Sequence, residues 1–600
     1  MTPPPSAAGQ PLDPNLLAEA AAPPSDRIAA FRAWLRGGET GLVFLAVLTG
    51  IAAGLLATAM SAAARGLHIL LFGEGVAHGV SLAHGVEWWQ LLFIPTIGGA
   101  VLGLVNIGIA RWRPRQPVDP IEANALHGGR MSLWDGAVVA VQNIISNGFG
   151  ASVGLEAGYT QVGGGVASRL GRKLGLRRGD LRVLVGCGAA GAIAAAFDAP
   201  LTGAFYAFEL VIGTYAIASL APVVASAVMS ILTTRLLSGQ TYLVQPGGVP
   251  SPAWDGYLLA LALGALCAFA AIALMVGVSR LENLFKRVPW VPLRPAIGGL
   301  GVGALALITP GALSAGHGAL HFAFSTETSL KAVVVLLVVK AAASALSLGA
   351  GFRGGLFFAS LLMGALLGKV FVALLPLVGL HTVDPLFLAV VGMSAFGTAV
   401  IGAPLAMTFL ALESTGNFAV AGAVLTAVAV SGLVTRRTFG YSFATWRFHL
   451  RGETIRSAHD VGWLRDLTVG KLMRRDVRTV RSDTSLASFR RDFPLGSTER
   501  VIALDEAGRY AGVVMVVEAH AIEATAETIT PLVKLEDVAL LPAMNAKEAM
   551  AVFDSVEVEA LAVLDGAESR KVIGSLTAAH VLRRYGEEID KRRQEEVGLS

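Results

Sequence analysis

The sequence is poor in charge. Asp, Glu, Lys and Arg make up 15% of its 600 residues, against ~25% in an ordinary soluble domain. Hydrophobic residues make up 54%. That balance excludes a soluble globular protein. Cysteine is nearly absent: Cys187 and Cys267 both lie in apolar stretches, which argues against a disulfide framework or a Cys-based metal site. No H-E-x-x-H occurs, which disfavours an intramembrane zinc protease. Met1 to Asp26 is rich in Pro and Ala and has no basic n-region leading into an apolar core. It reads as a disordered tail and not as a signal peptide.

Long apolar runs are present instead. Gly41–Ala64, Gly256–Val276, Lys331–Leu348 and Phe387–Ala403 are long enough, or nearly so, to cross ~30 Å of hydrocarbon. The class is a polytopic α-helical membrane protein. The formal net charge of +4 is unevenly spread and points to no nucleic-acid partner. Basic clusters separate the apolar runs: Arg27, Arg32 and Arg36; Arg111, Arg113 and Arg115; Arg172, Lys173, Arg177 and Arg178; Arg436 and Arg437. Under the positive-inside rule these are cytoplasmic loop ends, which places the N-terminus and the C-terminal third on that side. Trp88 and Trp89 read as interfacial anchors. His78 and His84 sit in a Gly-rich loop at a spacing poor for one helix face, so a solvated loop is the better reading than a metal site.

From Leu91 to Leu433 the apolar segments are punctuated by Pro120, Pro200, Pro310, Pro404 and the pair Gly354–Gly355. Pieces such as Gly191–Phe197 and Gly355–Met363 read as too short or too broken to span alone. Broken helices survive at membrane depth only where protein buries their ends or where they line a cavity. That pattern points to a transporter or channel whose half-helix termini meet at a midplane site.

One stretch concentrates the chemistry: Ser146 to Gly165, SNGFGASVGLEAGYTQVGGG. Its single carboxylate, Glu156, stands between Gly154 and Gly158 among small, apolar or uncharged neighbours, where a charge is costly in a bilayer and functional by default. The run Tyr159 to Leu170 can continue as a helix, which sets Glu156 near a helix N-terminus that favours an anion. Glu156 is then either a carboxylate that leaves an anion site on protonation or a simple helix cap. Gly150–Gly154 also satisfies G-x-S-x-G, but helix-like flanks favour small-residue packing over a nucleophile elbow. Gly186–Gly191 satisfies G-x-G-x-x-G without a βαβ context.

After Arg447 charged residues become frequent and apolar runs shrink to strand length. Val501–Asp505 with Gly512–Met515, and Leu561–Asp565 with Val572–Leu576, form two similar hairpins, each before a short helical stretch. They read as a tandem α/β repeat of ~60 residues.

The order of these features resembles the CLC family of chloride channels and anion/proton exchangers over Thr40 to Arg447, and the tail resembles its paired CBS domains. Gly154-Leu155-Glu156-Ala157-Gly158 resembles the family's G-R-E-G-P stretch, and Tyr159 to Gly164 its T-V-Q-I-G-G. Ala195 to Leu201 resembles A-A-F-N-A-P-L, and Gly355-Leu356-Phe357 the start of G-x-F-x-P. Gly392 to Ala395, Ala403-Pro404-Leu405 with Leu412-Glu413, and Tyr441 resemble further landmarks. The resemblance implies an all-α CLC-type membrane fold with broken and re-entrant helices, followed by a cytoplasmic α/β tandem CBS domain. The boundaries it implies are a disordered tail over 1–37, a transport domain over 38–447, a linker over 448–465, CBS domains over 466–526 and 527–590, and a tail over 591–600.

The resemblance implies a gate at Glu156 and an anion site formed by Pro117, Gly154, Leu155, Glu156, Ala157, Gly158, Leu356, Phe357 and Tyr441. It implies no metal, no cofactor and no catalytic residue. The partners implied are a small inorganic anion, the bilayer and a second copy in a homodimer. The place implied is the inner membrane of a bacterium, with both termini cytoplasmic. Departures from the pattern carry information. Pro117 stands where the family has a Ser donor, Leu155 replaces an Arg, and Gly158 and Ala359 replace prolines. The exchangers' internal Glu falls on Leu210, with Glu209 beside it as the remaining candidate for a proton path. Glu413 reads as a structural carboxylate. In the CBS pair Glu518 and Thr577 are the residues left to hold a ligand, so an adenine nucleotide is expected to bind weakly or not at all. The expectation is gated, channel-like passage of chloride or a similar anion. An anion/proton antiporter is the alternative, and a CBS ligand sensor with a vestigial pathway is a rival of another class.

Overall fold

Helix formation along the first two-thirds of the chain follows from apolar runs closed by the right end signals. The computed structural model describes Trp34 and residues 38–597, except 77–78, 83–84, 113–115, 239–247, 326–328, 381–382, 451–466 and 523–526. The expectations for His78, His84, Arg113 and Arg115, for most of the 1–37 tail and for most of the linker lie outside the described residues. The chain divides into two compact units, Met1–His459 and Asp460–Ser600.

The helices of the first unit, in order, are α1 Glu39–Phe72, α2 Trp88–Trp112, α3 Pro120–His127, α4 Leu133–Gly148, α5 Glu156–Leu174, α6 Arg178–Phe197, α7 Pro200–Tyr206 and α8 Ile217–Ser238. They continue with α9 Trp254–Phe285, α10 Leu293–Ala306, α11 His317–Ser325, α12 Leu330–Ala350, α13 Phe357–Leu374, α14 Pro385–Ile401, α15 Pro404–Thr415, α16 Phe418–Thr438 and α17 Phe443–Leu450. Eight helices among the described residues are long and apolar enough to cross a membrane, and Leu293–Ala306 and Pro385–Ile401 are shorter apolar helices. Many starts carry their own signal. Asp119, Ser132, Ser329, Asp384 and Asn417 each accept a hydrogen bond from a backbone N–H of the helix they precede, satisfying donors that the helix itself cannot. Pro follows the cap in α3, α7, α14 and α15, where its missing N–H costs nothing.

Helix order and pairing repeat. In the first half α1 packs on α8 and α6, α6 on α8 and α5, α5 on α4, and α4 on α2. In the second half α9 packs on α16 and α14, α14 on α16 and α13, α13 on α12, and α12 on α10. The halves meet through α2 with α10 and α7 with α15. Glycine permits the closest approaches. A Cβ on Gly163 of α5 would overlap the Gly188 carbonyl of α6, and a Cβ on Gly364 of α13 would overlap the Gly392 carbonyl of α14. Gly191–Phe197 and Gly355–Met363, expected to be fragments, are therefore parts of the full helices α6 and α13 or of the turn just before them. Gly191 is a packing position inside α6 and not a break, whereas the pair Gly354–Gly355 does lie in the break between α12 and α13. The largest buried core runs through α6, α7, α13, α14 and α15.

The second unit is the expected tandem α/β repeat. Strands β1 Thr479–Arg481, β2 Arg500–Leu504 and β3 Tyr510–Met515 form one sheet in that order, with β1 parallel to β2 and β2 antiparallel to β3. β4 Ala560–Leu564 and β5 Val572–Thr577 pair antiparallel. Ala503 faces Gly512 in the first hairpin and Val563 faces Gly574 in the second, each followed by a register shift. The two cores do not follow the 526/527 boundary. Val469 and Leu472 pack with Ala546, Phe553 and Leu561 of the second repeat, while Ile529 and Leu532 pack with Leu486, Phe489 and Val501 of the first.

Candidate anion site

Two of the helix starts that have no cap from the residue before them face each other. α5 begins after Leu155 and α13 after Leu356, each with no side-chain cap. The strands leading into them are joined by an antiparallel bridge: Gly154 N–H donates to Gly355 O at 2.9 Å, and Gly355 N–H donates to Gly154 O at 3.2 Å. Both N-termini, with their partial positive charge and orphan N–H groups, are thereby brought together in the buried interior.

Glu156 occupies this convergence. It is the first residue of α5 and only 5% exposed. Its Oε1 accepts from Phe358 N–H of α13 at 3.2 Å, so the carboxylate of one half caps the helix of the other. Oε2 has no hydrogen-bond partner among the described residues. A Cβ on residue 154 would overlap Oε2, so a side chain there would displace the Glu156 carboxylate from this position. Asn143 of α4 clamps the turn. Its Nδ2 donates to Gly154 O at 2.9 Å and to Arg353 O at 3.2 Å, and its Oδ1 accepts from Gly158 N–H at 2.9 Å. Gly158, expected to offer its N–H to an anion, is therefore engaged with Asn143. Glu156 and Ala157 are the N–H groups ahead of it in the first turn. The proline usual at 158 could not make this bond, so Gly158 and Asn143 belong together.

Of the other expected residues, Leu155, Leu356 and Phe357 belong to the two helix starts themselves. Leu155 is buried among Ala57, Met60, Tyr159 and Val162, an apolar setting in place of the family's Arg. Leu356 and Phe357 are buried at the start of α13, and the Phe357 ring lies 4.5 Å from that of Phe197. Pro117 is half-buried in a loop tied to α5 by Gln161 Nε2 donating to Val118 O at 2.7 Å. Tyr441 is half-buried in the loop after α16, its ring 5.6 Å from Trp446. The neighbouring Ser442 lies against Gly402, close to Leu210.

Glu209, the candidate for a proton path, caps a helix. Its two oxygens accept from Leu405 N–H and Ala406 N–H, each at 3.0 Å, capping α15. Glu413 caps α7 in the same way, accepting from Leu201 N–H at 2.7 Å, Thr202 N–H at 2.9 Å and the Thr202 hydroxyl at 2.6 Å. Each carboxylate stands nine residues beyond the proline of its own helix, Pro200 or Pro404. The two caps are reciprocal. Glu413 is structural as expected, and Glu209 is its counterpart.

Several residues escaped the sequence reading. Asn143 and the Phe358 N–H have no sequence signature. Lys340 has one: it is a lone cation deep in the apolar run of α12. It is fully buried, and its Nζ donates to Ser314 O at 2.6 Å and Ala312 O at 3.3 Å. Its charge acts on Glu156. Applied evenly, the rule that singled out Glu156 finds Lys340 too. Tyr206, at the end of α7, has its ring 6.0 Å from Phe357. Ser152 of the rejected G-x-S-x-G match lies in the turn and not on a helix, with its Oγ 3.0 Å from Ser344 Oγ. No group of three or more His, Cys, Asp or Glu residues suited to a metal exists among the described residues.

Residues 98–436 match the family described as Voltage gated chloride channel. The chain belongs to that family. A ClcB-like chloride channel protein of Ralstonia nicotianae is 32% identical over 66% of this chain and 94% of its own length. The voltage-gated ClC-type chloride channel ClcB of Salmonella typhimurium is 28% identical over 66% and 95%. Among solved structures, a slow cyanobacterial Cl-/H+ antiporter superposes with a TM-score of 0.59 at 20% identity, covering 68% of this chain and 97% of that one. A eukaryotic CLC transporter does so with 0.57 at 19%, covering 90% and 97%. These show a CLC fold, and the C-terminal repeat is its CBS-type pair. In that pair Glu518 is held by Lys534 Nζ at 2.7 Å, and Thr577 Oγ1 accepts from His580 N–H at 3.3 Å. Both expected ligand residues already have internal partners.

Proposed function

We propose that this CLC-family protein passes chloride, or another small monovalent anion, passively through a pathway gated by Glu156. One observation carries the reading: two buried helix N-termini without side-chain caps converge, and the Glu156 carboxylate rests on the Phe358 N–H of one of them. An anion entering that place finds oriented N–H groups and no fixed cation in contact to trap it, which conduction requires. Protonation removes the negative charge that holds Glu156 there and frees the site.

Uncoupled passage is favoured over exchange by two residues. Leu210 is buried and cannot titrate, and Glu209 has both oxygens engaged by α15. The reading includes a homodimer with one pathway per subunit, as the family resemblance implies. It sets the protein in the inner membrane of a bacterium with both termini cytoplasmic, in line with its bacterial relatives and basic loop ends. It assigns no catalytic residue, and at the CBS pair only weak nucleotide binding or none. Anion efflux from liposomes containing the purified protein tests the function, with a pH-sensitive dye inside to follow protons. Chloride efflux without uphill proton movement is expected. Uphill proton movement at a fixed ratio would assign an antiporter, and no anion flux at any pH would leave only the ligand-sensor role.

A further inference from the structure

The start of α4 and the last turns of α5 line a cavity that holds none of the residues of the candidate anion site. It has a volume of about 530 Å³ and is lined by Arg130, Met131, Ser132, Leu133, Trp134, Arg169, Arg172 and Lys173. Four cations from two elements surround it: Arg130 from the loop before α4, the others from the last turns of α5. None of the four makes an ion pair among the described residues, and Asp135, in the same turn as Trp134, does not line the space. Cations at a helix C-terminus are ordinary companions of the dipole. Arg130 is not on that helix, however, and lines the same cavity from the loop before α4. Met131 and Leu133 add apolar lining. Beside them Trp134 is 67% exposed, although most tryptophans this open sit at a membrane interface or an unformed contact.

Depth decides which anion this cavity suits. Arg172 follows Glu156 by sixteen residues of one helix, a rise of ~24 Å. The hydrocarbon on one side of the midplane is only ~15 Å deep. Starting from a buried Glu156, the cationic end of α5 reaches the headgroup layer even when tilted. We propose that this cavity binds the phosphate of an anionic phospholipid, with Arg130, Arg169, Arg172 and Lys173 around the headgroup and Trp134 at its glycerol and upper acyl region. A free phosphate would use the same cations but would have no use for the apolar lining or the exposed indole. The anionic leaflet faces such basic ends.

The test uses the full chain, purified in neutral detergent and stripped of lipid. Its thermal midpoint is followed during titration with phosphatidylglycerol, phosphatidylcholine or inorganic phosphate. Phosphatidylglycerol alone is expected to raise the midpoint, and Arg169→Gln/Arg172→Gln/Lys173→Gln is expected to lose that rise. Arg130→Gln, a single change outside α5, guards against a misfolded triple variant and should weaken half-saturation by about fivefold. Brominated phosphatidylglycerol should quench a fluorescence component that Trp134→Phe removes, and brominated phosphatidylcholine should not. An equal rise with phosphatidylcholine, or variants that respond like wild type, would overturn the assignment. A rise with inorganic phosphate matching that with phosphatidylglycerol would make it a soluble-anion site and overturn it equally.

Discussion

Glu156 is held by one hydrogen bond to another helix, with its second oxygen unpartnered. Such a group leaves when it is neutralised, because a neutral acid gains far less from an N-terminal dipole than a carboxylate does. Flux through the wild type should therefore rise as pH falls, by up to about tenfold per unit while the deprotonated form dominates. Glu156→Gln keeps the shape without the charge, so its flux should be high and nearly flat with pH. Glu156→Asp should retain a slope. Efflux across pH for the three forms checks this, and a Gln form as pH-dependent as wild type would leave Glu156 a mere cap. Lys340 adds one charge to the field in which that proton binds. In Lys340→Met the carboxylate loses a favourable charge, so the flux–pH curve should move to higher pH by about one unit. Lys340→Arg should stay near wild type. The Met form also strands the carbonyls of Ser314 and Ala312, at a stability cost of about 1–3 kcal/mol. A curve that does not move in the Met form would show that Lys340 is structural only.

At the scale of elements, the reciprocal caps explain what was legible and what was not. Apolar runs, Pro–Leu starts and the glycine-flanked carboxylate all act locally, so the helices, the α5 start at Glu156 and the hairpins of the second unit could be read directly. Gly191 in α6 was misread as a break because close packing of two helices and a broken helix use the same residue, whereas Gly354–Gly355 is a true break. Asn143, and the partners of Glu209 and Glu413, join residues 11 to 212 positions apart, a separation no periodicity records. Glu209→Gln and Glu413→Gln each weaken one charged cap. Each should lower stability by about 1–2 kcal/mol, seen as a reduced thermal midpoint in detergent, with anion flux retained. If Glu209→Gln instead kept full stability and abolished a proton flux, Glu209 would be a proton-path residue and the cap incidental.

At the scale of the molecule, the second unit is a pair of interlocked repeats, and Tyr510 fastens them. Its hydroxyl donates to Leu535 O or Val538 O, at 2.9 and 3.0 Å, and burial pushes its phenol up to about 12. A phenol whose folded value lies above the unfolded ~10 binds its proton more tightly when folded. Its contribution is complete below pH 10 and is lost as pH rises through 12. The unit should therefore loosen in that alkaline window. Tyr510→Phe should lose about 1 kcal/mol at neutral pH and show a smaller alkaline transition, both measurable by circular dichroism of the full chain in detergent.

The convergence at Glu156 also has an electrical meaning. A proton that reaches a carboxylate halfway through the membrane crosses about half of the transmembrane voltage. Since a full crossing is worth ~2.3 kcal/mol per 100 mV, half is ~1.2 kcal/mol, and one pH unit is ~1.4 kcal/mol. A change of 100 mV thus acts on this gate much as ~0.8 pH unit would, with a sign set by the side from which the proton arrives. A Glu156 gate of the proposed kind would feel the membrane potential without a separate moving sensor.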